Sequence, residues 1–511
     1  MTRIARRWVC VTAIAVPLTA QKSVPGLQGG ELTRAPRIWT EEQLRDWANP
    51  IAGINLSPKH LSEAKFYAAP VDNVRTYPVY HPDYEPPGYL ESLRKRGAEP
   101  MIELGRARNR QDWIEAGRRV FDELDAPQTR TSDFRIVDYV RSREALKKYP
   151  TRMTKDGQLF DFRWVVEKSG ELKLTIHECS SCHTRIMPNG SVISGAQGNL
   201  LVPFPPSANA MLSGFSVPKE PGAELDSPAE VAYAAYGVPW IKNDIHEGLK
   251  SMSPQEIQAL VDSDAPSTFA RFNGSPYFTT KMPSLIGVRY SRYLDHTGTH
   301  RNRGPEDIAR YAVLVLLADD GSIGDYTFLT EYQRTLKVRL SDDALYALGM
   351  FITYGLQEPD NPNKPDERSK RGETIFTRTG CVACHTPPNY TSGMLIPVDG
   401  YTPPDGVSGQ LQILRGVLVG TDPGLALRTR KGTGYYKVPS LRGVWHRQLL
   451  EHSGSIGSLE DWFDRKRLRG DYVPSGWKGP GVTHRAVPGH EFGLDLSQED
   501  KGALIGYLRT L

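Results

Sequence analysis

The chain of 511 residues contains five cysteines, and four of them fall in two identical patterns, Cys179-Ser180-Ser181-Cys182-His183 and Cys381-Val382-Ala383-Cys384-His385. Two thiols three residues apart with an imidazole directly after the second is the arrangement that attaches a c-type haem. The thiols add to the haem vinyl groups as thioethers, and the adjacent histidine reaches the iron as its proximal ligand. A zinc site would need about four N or S ligands around one tetrahedral ion, and a histidine immediately beside the second cysteine suits that geometry poorly. A redox dithiol would not need the histidine twice. The pattern therefore predicts two covalent haem c groups, held by Cys179, Cys182 and His183 and by Cys381, Cys384 and His385, with His183 and His385 as iron ligands.

The fifth cysteine, Cys10, lies in a segment with the marks of an export signal. Thr2 to Arg7 carries three arginines, Trp8 to Ala20 is mostly apolar, and Leu18-Thr19-Ala20 ends in a small residue suited to cleavage. The apolar run is too short to span a membrane and contains Pro17, so residues 1–20 read as a cleaved signal peptide rather than an anchor. No later apolar stretch approaches a span, the longest being Tyr311 to Ala318. Haem is attached to this motif in bacteria after export, which makes a periplasmic protein without an integral span the expectation. A net charge of +4 on so long a chain gives no reason to expect a nucleic-acid partner. The 39 prolines and 47 glycines predict a loop-rich chain.

The elements that must hold the motifs repeat. Lys281-Met-Pro-Ser-Leu-Ile-Gly-Val288 matches Lys437-Val-Pro-Ser-Leu-Arg-Gly-Val444, and Leu294-Asp-His-Thr-Gly298 matches Leu450-Glu-His-Ser-Gly454, both at an offset of 156. At the same offset Leu340-Ser341 falls on Leu496-Ser497, each opening a helix, and Gly117 to Phe121 resembles Gly372 to Phe376 ahead of the second motif. The expected fold is mainly α: two tandem c-type cytochrome domains with loop-rich insertions and one small β-hairpin. The boundaries are a Pro/Tyr-rich extension over 21–105, a first haem domain over 106–357, a proline-rich linker over 358–370 and a second haem domain over 371–511. The hairpin is predicted from the alternation in Phe160 to Val166 and Glu171 to His177 around Lys168-Ser169-Gly170. The extension lacks a periodic apolar pattern and is expected to wrap the haem domains or to serve as a binding surface.

Gly372 to His385, Asp422-Pro-Gly, Lys437 to Val444, His452-Ser-Gly-Ser with Leu459-Glu, and the terminal Leu496-Ser to Leu508 together resemble the bacterial di-haem cytochrome c peroxidase superfamily, which includes peroxide reductases, the di-haem enzyme that matures methylamine dehydrogenase, and rubber oxygenases. The resemblance covers roughly residues 106–511 and is strongest in the second half. It implies secretion, two haem c domains, a small redox protein or small molecule as electron partner, and Ca2+ at the domain interface. Two departures stand out. The Trp-containing stretch of the peroxidases is replaced by Tyr293-Leu-Asp-His-Thr-Gly298, and Tyr311 to Val315 offers no distal glutamate.

The same resemblance implies a sixth ligand for the second haem. The chain has no methionine after Met394, and the segment where the family places one holds Gly489-His490-Glu491-Phe492-Gly493, similar to the bis-histidine haem of rubber oxygenases. His490 is thus the expected ligand, with His446, His452 and His484 as alternatives. The repeat sets Arg334 opposite His490, and a guanidinium cannot ligate iron. The first haem is therefore expected to be open to peroxide or dioxygen. His296 pairs with His452 in the repeat, which suits a shared structural role or a distal catalytic group. His300 faces Ile456 and is peculiar to the first copy, as a distal base or a ligand. His177, His246 and Met282 are further candidates to close that iron. Arg442 could hold a haem propionate or form a domain-interface salt bridge. His60 and His81 are expected in solvent. Three functions compete: an oxidoreductase of peroxidase or oxygenase type, a pure electron-transfer cytochrome, and a haem-stabilised binding module.

Overall fold

A computed structural model describes residues 34–103, 105–201, 227–315, 319–405 and 411–511. The expected signal segment 1–20 lies outside the described residues. Ahead of each C-x-x-C-H motif in the chain lies a helix that crosses a second helix at a glycine. Helix Arg110–Glu123 is capped by Asn109, whose side chain accepts from the Gln111 and Asp112 amides, and it packs against helix Asp342–Met350, capped by Ser341. Helix Glu367–Arg378, opened by an Asp366/Ser369 capping box, packs against helix Gln498–Arg509, capped by Ser497. In each pair the backbones meet so closely that a Cβ on Gly117 would strike the carbonyl oxygen of Ala347, and one on Gly372 that of Ala503. Ala347 and Ala503 are 156 positions apart. Aromatic pairs repeat the register: Phe121 against Phe351 at 5.4 Å, and Phe376 against Tyr507 at 5.5 Å. Glycine is needed at both crossings for want of space, since neither position has an unusual φ.

The segments carrying the repeated Lys-x-Pro-Ser-Leu and Leu-acid-His motifs also match. Leu294 bridges His300 as Leu450 bridges Ile456. Asp295 and Glu451 both take left-handed backbone conformations, with φ of 65° and 64°. The copies are joined crosswise: the Lys281 amide donates to the His452 carbonyl at 3.0 Å, and the Lys437 amide to the His296 carbonyl at 2.9 Å.

The expectation of a mainly α chain with one hairpin is corrected. The structure is 33% helix and 14% strand. Among the described residues the strands form two three-stranded and four two-stranded sheets. The predicted hairpin is present as Gln158–Val166 paired with Leu172–Ile176, but Thr76–Tyr80 from the extension adds a third strand along Gln158–Val166. A second strand of the extension, Pro58–His60, pairs with Asp319–Ile323. Composition disguised both, because a three- to five-residue strand interrupted by proline leaves little alternation to read. The extension also feeds the largest core: Ile38, Trp39, Trp47, Leu61 and Phe66 are buried against the helices at Gly117 and Ala347.

Candidate functional site

Both cysteine motifs sit on a single tight turn. Cys179–Cys182 is one helical turn, with the His183 amide donating to the Cys179 carbonyl at 3.1 Å, and Cys381–Ala383 is a tighter turn, with the His385 amide on the Cys381 carbonyl at 2.8 Å. A turn brings positions i and i+3 to one side, so both thiols of a motif face the same way. All four thiols are free. Burial pushes Cys182 up to about 11 and Cys179 higher still. Among the described residues no cluster of three or more His, Cys, Asp or Glu is placed to hold a metal ion.

Each motif histidine is oriented through Nδ1. His183 Nδ1 lies 2.9 Å from the Pro283 carbonyl, and His385 Nδ1 lies 3.1 Å from that of Tyr390, with the Pro439 carbonyl, the repeat counterpart of Pro283, also bonded to the His385 ring. A carbonyl acceptor at Nδ1 leaves Nε2 as the lone-pair nitrogen, the state an iron ligand needs. Burial holds both rings at about 4, so they are neutral at physiological pH.

Opposite His385 stands His490, their ring centroids 6.4 Å apart. A metal–imidazole bond is about 2.0–2.1 Å, so two imidazoles on opposite sides of one ion have their centroids roughly 6.3 Å apart. The observed spacing fits one iron between them. His490 is held by its own backbone: its amide donates to the Val419 carbonyl at 2.6 Å, and its carbonyl accepts from Arg467 at 3.0 Å. Gly489 before it presses on the backbone of Gly420 and Thr421 with a φ of 80°, a place only glycine can occupy. Burial and the neighbouring His385 draw His490 down to about 3. Of the three alternatives, His446 alone keeps both ring nitrogens buried and without a hydrogen-bond partner. His452 stacks on Tyr436 at 4.3 Å and pairs with Glu451, His484 is exposed beside Thr483, and His446 packs edge-on against Trp445.

His183 has no such ring facing it among the described residues. Around Cys179 and Cys182 lies a charged cluster that the sequence did not single out. The Tyr311 hydroxyl donates to Asp295 at 2.6 Å, Lys431 Nζ is 3.3 Å from the same carboxylate, and the enclosed Arg271 guanidinium feels Tyr311, Asp295 and Cys182. Burial alone would raise Asp295, but Lys431 and the Tyr311 bond hold it well below the usual carboxylate range. Asp295 lies ahead of helix Pro305–Val315, which carries Tyr311, and Lys431 comes from the other copy, so only the fold brings the three together.

Several expected site residues stand elsewhere. His300 Nδ1 bonds Thr299 Oγ1 at 2.9 Å, its Nε2 is buried without a hydrogen-bond partner, and its ring packs against those of Trp47 at 4.3 Å and His60 at 5.3 Å between centroids. His60 is correspondingly not in solvent, both ring nitrogens being buried. His296 bonds the Lys281 carbonyl through Nε2 at 2.8 Å, a structural use of that nitrogen. Arg442 forms a two-pronged ion pair with Glu358 at 2.6 and 2.7 Å, tying the second copy to the linker and leaving its guanidinium occupied rather than open to a propionate. His246 is satisfied on both nitrogens by Asp244 and Ser275, and His177 bonds Ser180 and stacks on Phe160. Arg334 pairs with Glu331 and Asp320. No helix among the described residues is long and apolar enough to cross a membrane.

The chain matches no described protein family, and no curated protein is similar to it in sequence. Among solved structures it is similar to hydrazine synthase of Kuenenia stuttgartiensis under xenon pressure, at 16% identity and a TM-score of 0.28, covering 56% of this chain and 86% of that one. It is also similar to a MauG-like protein associated with microbial copper homeostasis, at 17% identity and a TM-score of 0.22, covering 37% of this chain and 62% of that one. Both likenesses are partial and lie below the level at which a shared fold can be argued.

Proposed function

We propose that the chain is an exported di-haem c-type cytochrome and an oxidoreductase, in which the haem at Cys179, Cys182 and His183 meets peroxide or dioxygen and the haem at Cys381, Cys384 and His385 relays electrons to or from a small redox protein or small molecule. The observation that carries this is the asymmetry between the copies. The His490 ring stands 6.4 Å from that of His385, so the two could hold one iron between them, whereas no described ring occupies that place before His183. When bound, haem supplies a redox-active iron, open to a sixth ligand only where the protein leaves it so.

The residues divide the work accordingly. The Pro283 and Tyr390 carbonyls fix the proximal imidazoles and make them more basic. Arg467 and the Gly489 contact hold His490 in place before any ligand arrives, so little order is lost on binding. Near the first motif, Asp295 fixes the Tyr311 hydroxyl proton and Lys431 keeps that carboxylate ionised.

The mature chain should gain the mass of two haems, and Cys182→Ala or Cys384→Ala should each remove one. Carbon monoxide should bind one haem per reduced chain, a signal lost in Cys182→Ala and kept in Cys384→Ala. His490→Ala should turn the second haem from low to high spin and add a second carbon monoxide site. If the fully reduced wild type binds no exogenous ligand, the chain transfers electrons without a substrate of its own.

A further inference from the structure

Two lysines one repeat apart occupy the seam between the copies, and each reaches from its own copy into the other. Lys281 Nζ donates to the Glu451 carbonyl at 2.6 Å, and Lys437 Nζ to the Tyr293 carbonyl at 3.3 Å, alongside the crosswise backbone bonds from the same two residues to His452 and His296. Both side chains are partly buried in that seam, and burial draws each down to about 8. Neither ammonium has a carboxylate within ion-pair distance among the described residues. The nearby Glu451 carboxylate is taken by His452 and by the Ser453 amide at 2.7 Å, and that of Asp295 by Tyr311 and Lys431.

An ammonium has three donors, and among the described residues each lysine donates to one neutral carbonyl. Burying a cation in that state costs several kcal/mol unless an anion accompanies it, yet the fold places two such cations at equivalent positions. Their place in the chain points to the missing anion. Lys281 lies two residues before Pro283, whose carbonyl holds His183, and Lys437 two residues before Pro439, whose carbonyl bonds the His385 ring. Each lysine therefore belongs to the segment that backs a proximal imidazole.

We infer that Lys281 and Lys437 bind the propionate carboxylates of the two haems at the seam, one lysine to each copy's haem. The inference rests on the haem assignment above. It gives the crosswise seam a function: the bonds that join the copies also fix both anion partners, so the anionic edges of the two haems are held by one rigid element and their potentials rise together through fixed positive charge.

The test uses the mature holoprotein. A mass lacking two haem additions would remove the haem assignment itself, separately from this inference. With both haems attached, resonance Raman spectra of the propionate-bending region and a spectroelectrochemical titration are compared for wild type, Lys281→Met, Lys437→Met and the corresponding Lys→Arg variants. Each Met variant should shift the propionate band and lower the midpoint potential of one haem, and each Arg variant should restore both. A Met variant that keeps both haems with band and potential unchanged overturns the inference, as does a shift that arginine fails to restore. If a Met variant does not mature, Lys→Gln, which keeps a donor without the charge, is read by the same criteria.

Discussion

At the residue scale, two histidines whose ring nitrogens are buried without a hydrogen-bond partner shape how the protein responds to acid. His60 and His446 are both held at about 4 by burial, against about 6.5 in the unfolded chain. Between those values the unfolded state binds the extra proton and the folded state does not. Their contribution to stability is thus fully present above pH 6.5 and is lost as pH falls towards 4, on the order of 2–3 kcal/mol for each. The thermal midpoint should fall between pH 7 and pH 4.5, and His60→Phe should make that fall shallower. Because neither nitrogen of His60 has a partner and the ring sits against Trp39 and Trp47, phenylalanine removes no hydrogen bond there. An identical slope in the variant would show that His60 does not titrate in this window. The two C-x-x-C-H motifs were legible in the sequence, because that pattern is local. The burial of His60 was not, since it depends on a strand pairing with residues some 260 positions away.

At the element scale, the two helix crossings depend on glycine in a way that other helical glycines do not. Gly117→Ala and Gly372→Ala each place a methyl group on a backbone carbonyl that cannot swing aside, and each should destabilise the protein by about 1–3 kcal/mol. Gly506→Ala, on the same helix as Ala503, meets nothing within 4 Å and should stabilise by about 0.5–1 kcal/mol through helix propensity. Thermal or urea melts of the three variants decide the matter, and a Gly117→Ala protein as stable as wild type would mean that the first crossing is loose. The caps at Ser341 and Ser497 and the hairpin before the first motif were readable as sequence signals. The four two-stranded sheets were not, because strands of two or three residues carry no period.

At the scale of the whole molecule, the copies are stitched by many bonds besides the lysine amides. Gln197 accepts from the Gln448 and Leu449 amides at 3.0 and 2.9 Å, and Arg430 donates to the Gly237 and Ala234 carbonyls at 2.5 and 2.8 Å. Calorimetry should therefore show one cooperative transition, and two resolved transitions would mean that the halves fold independently. The sequence by itself determined the two C-x-x-C-H motifs and the repeat at an offset of 156, because each is written in residue types and spacings along the chain, while the candidacy of His490 came from a family resemblance. Tertiary structure alone decided that His490 faces His385, that Arg442 is committed to Glu358, that His300 packs against Trp47, and that Asp295, Tyr311 and Lys431 form one cluster. Those are contacts between residues far apart in the chain, and their geometry is set by packing and crosswise hydrogen bonding that no local pattern encodes.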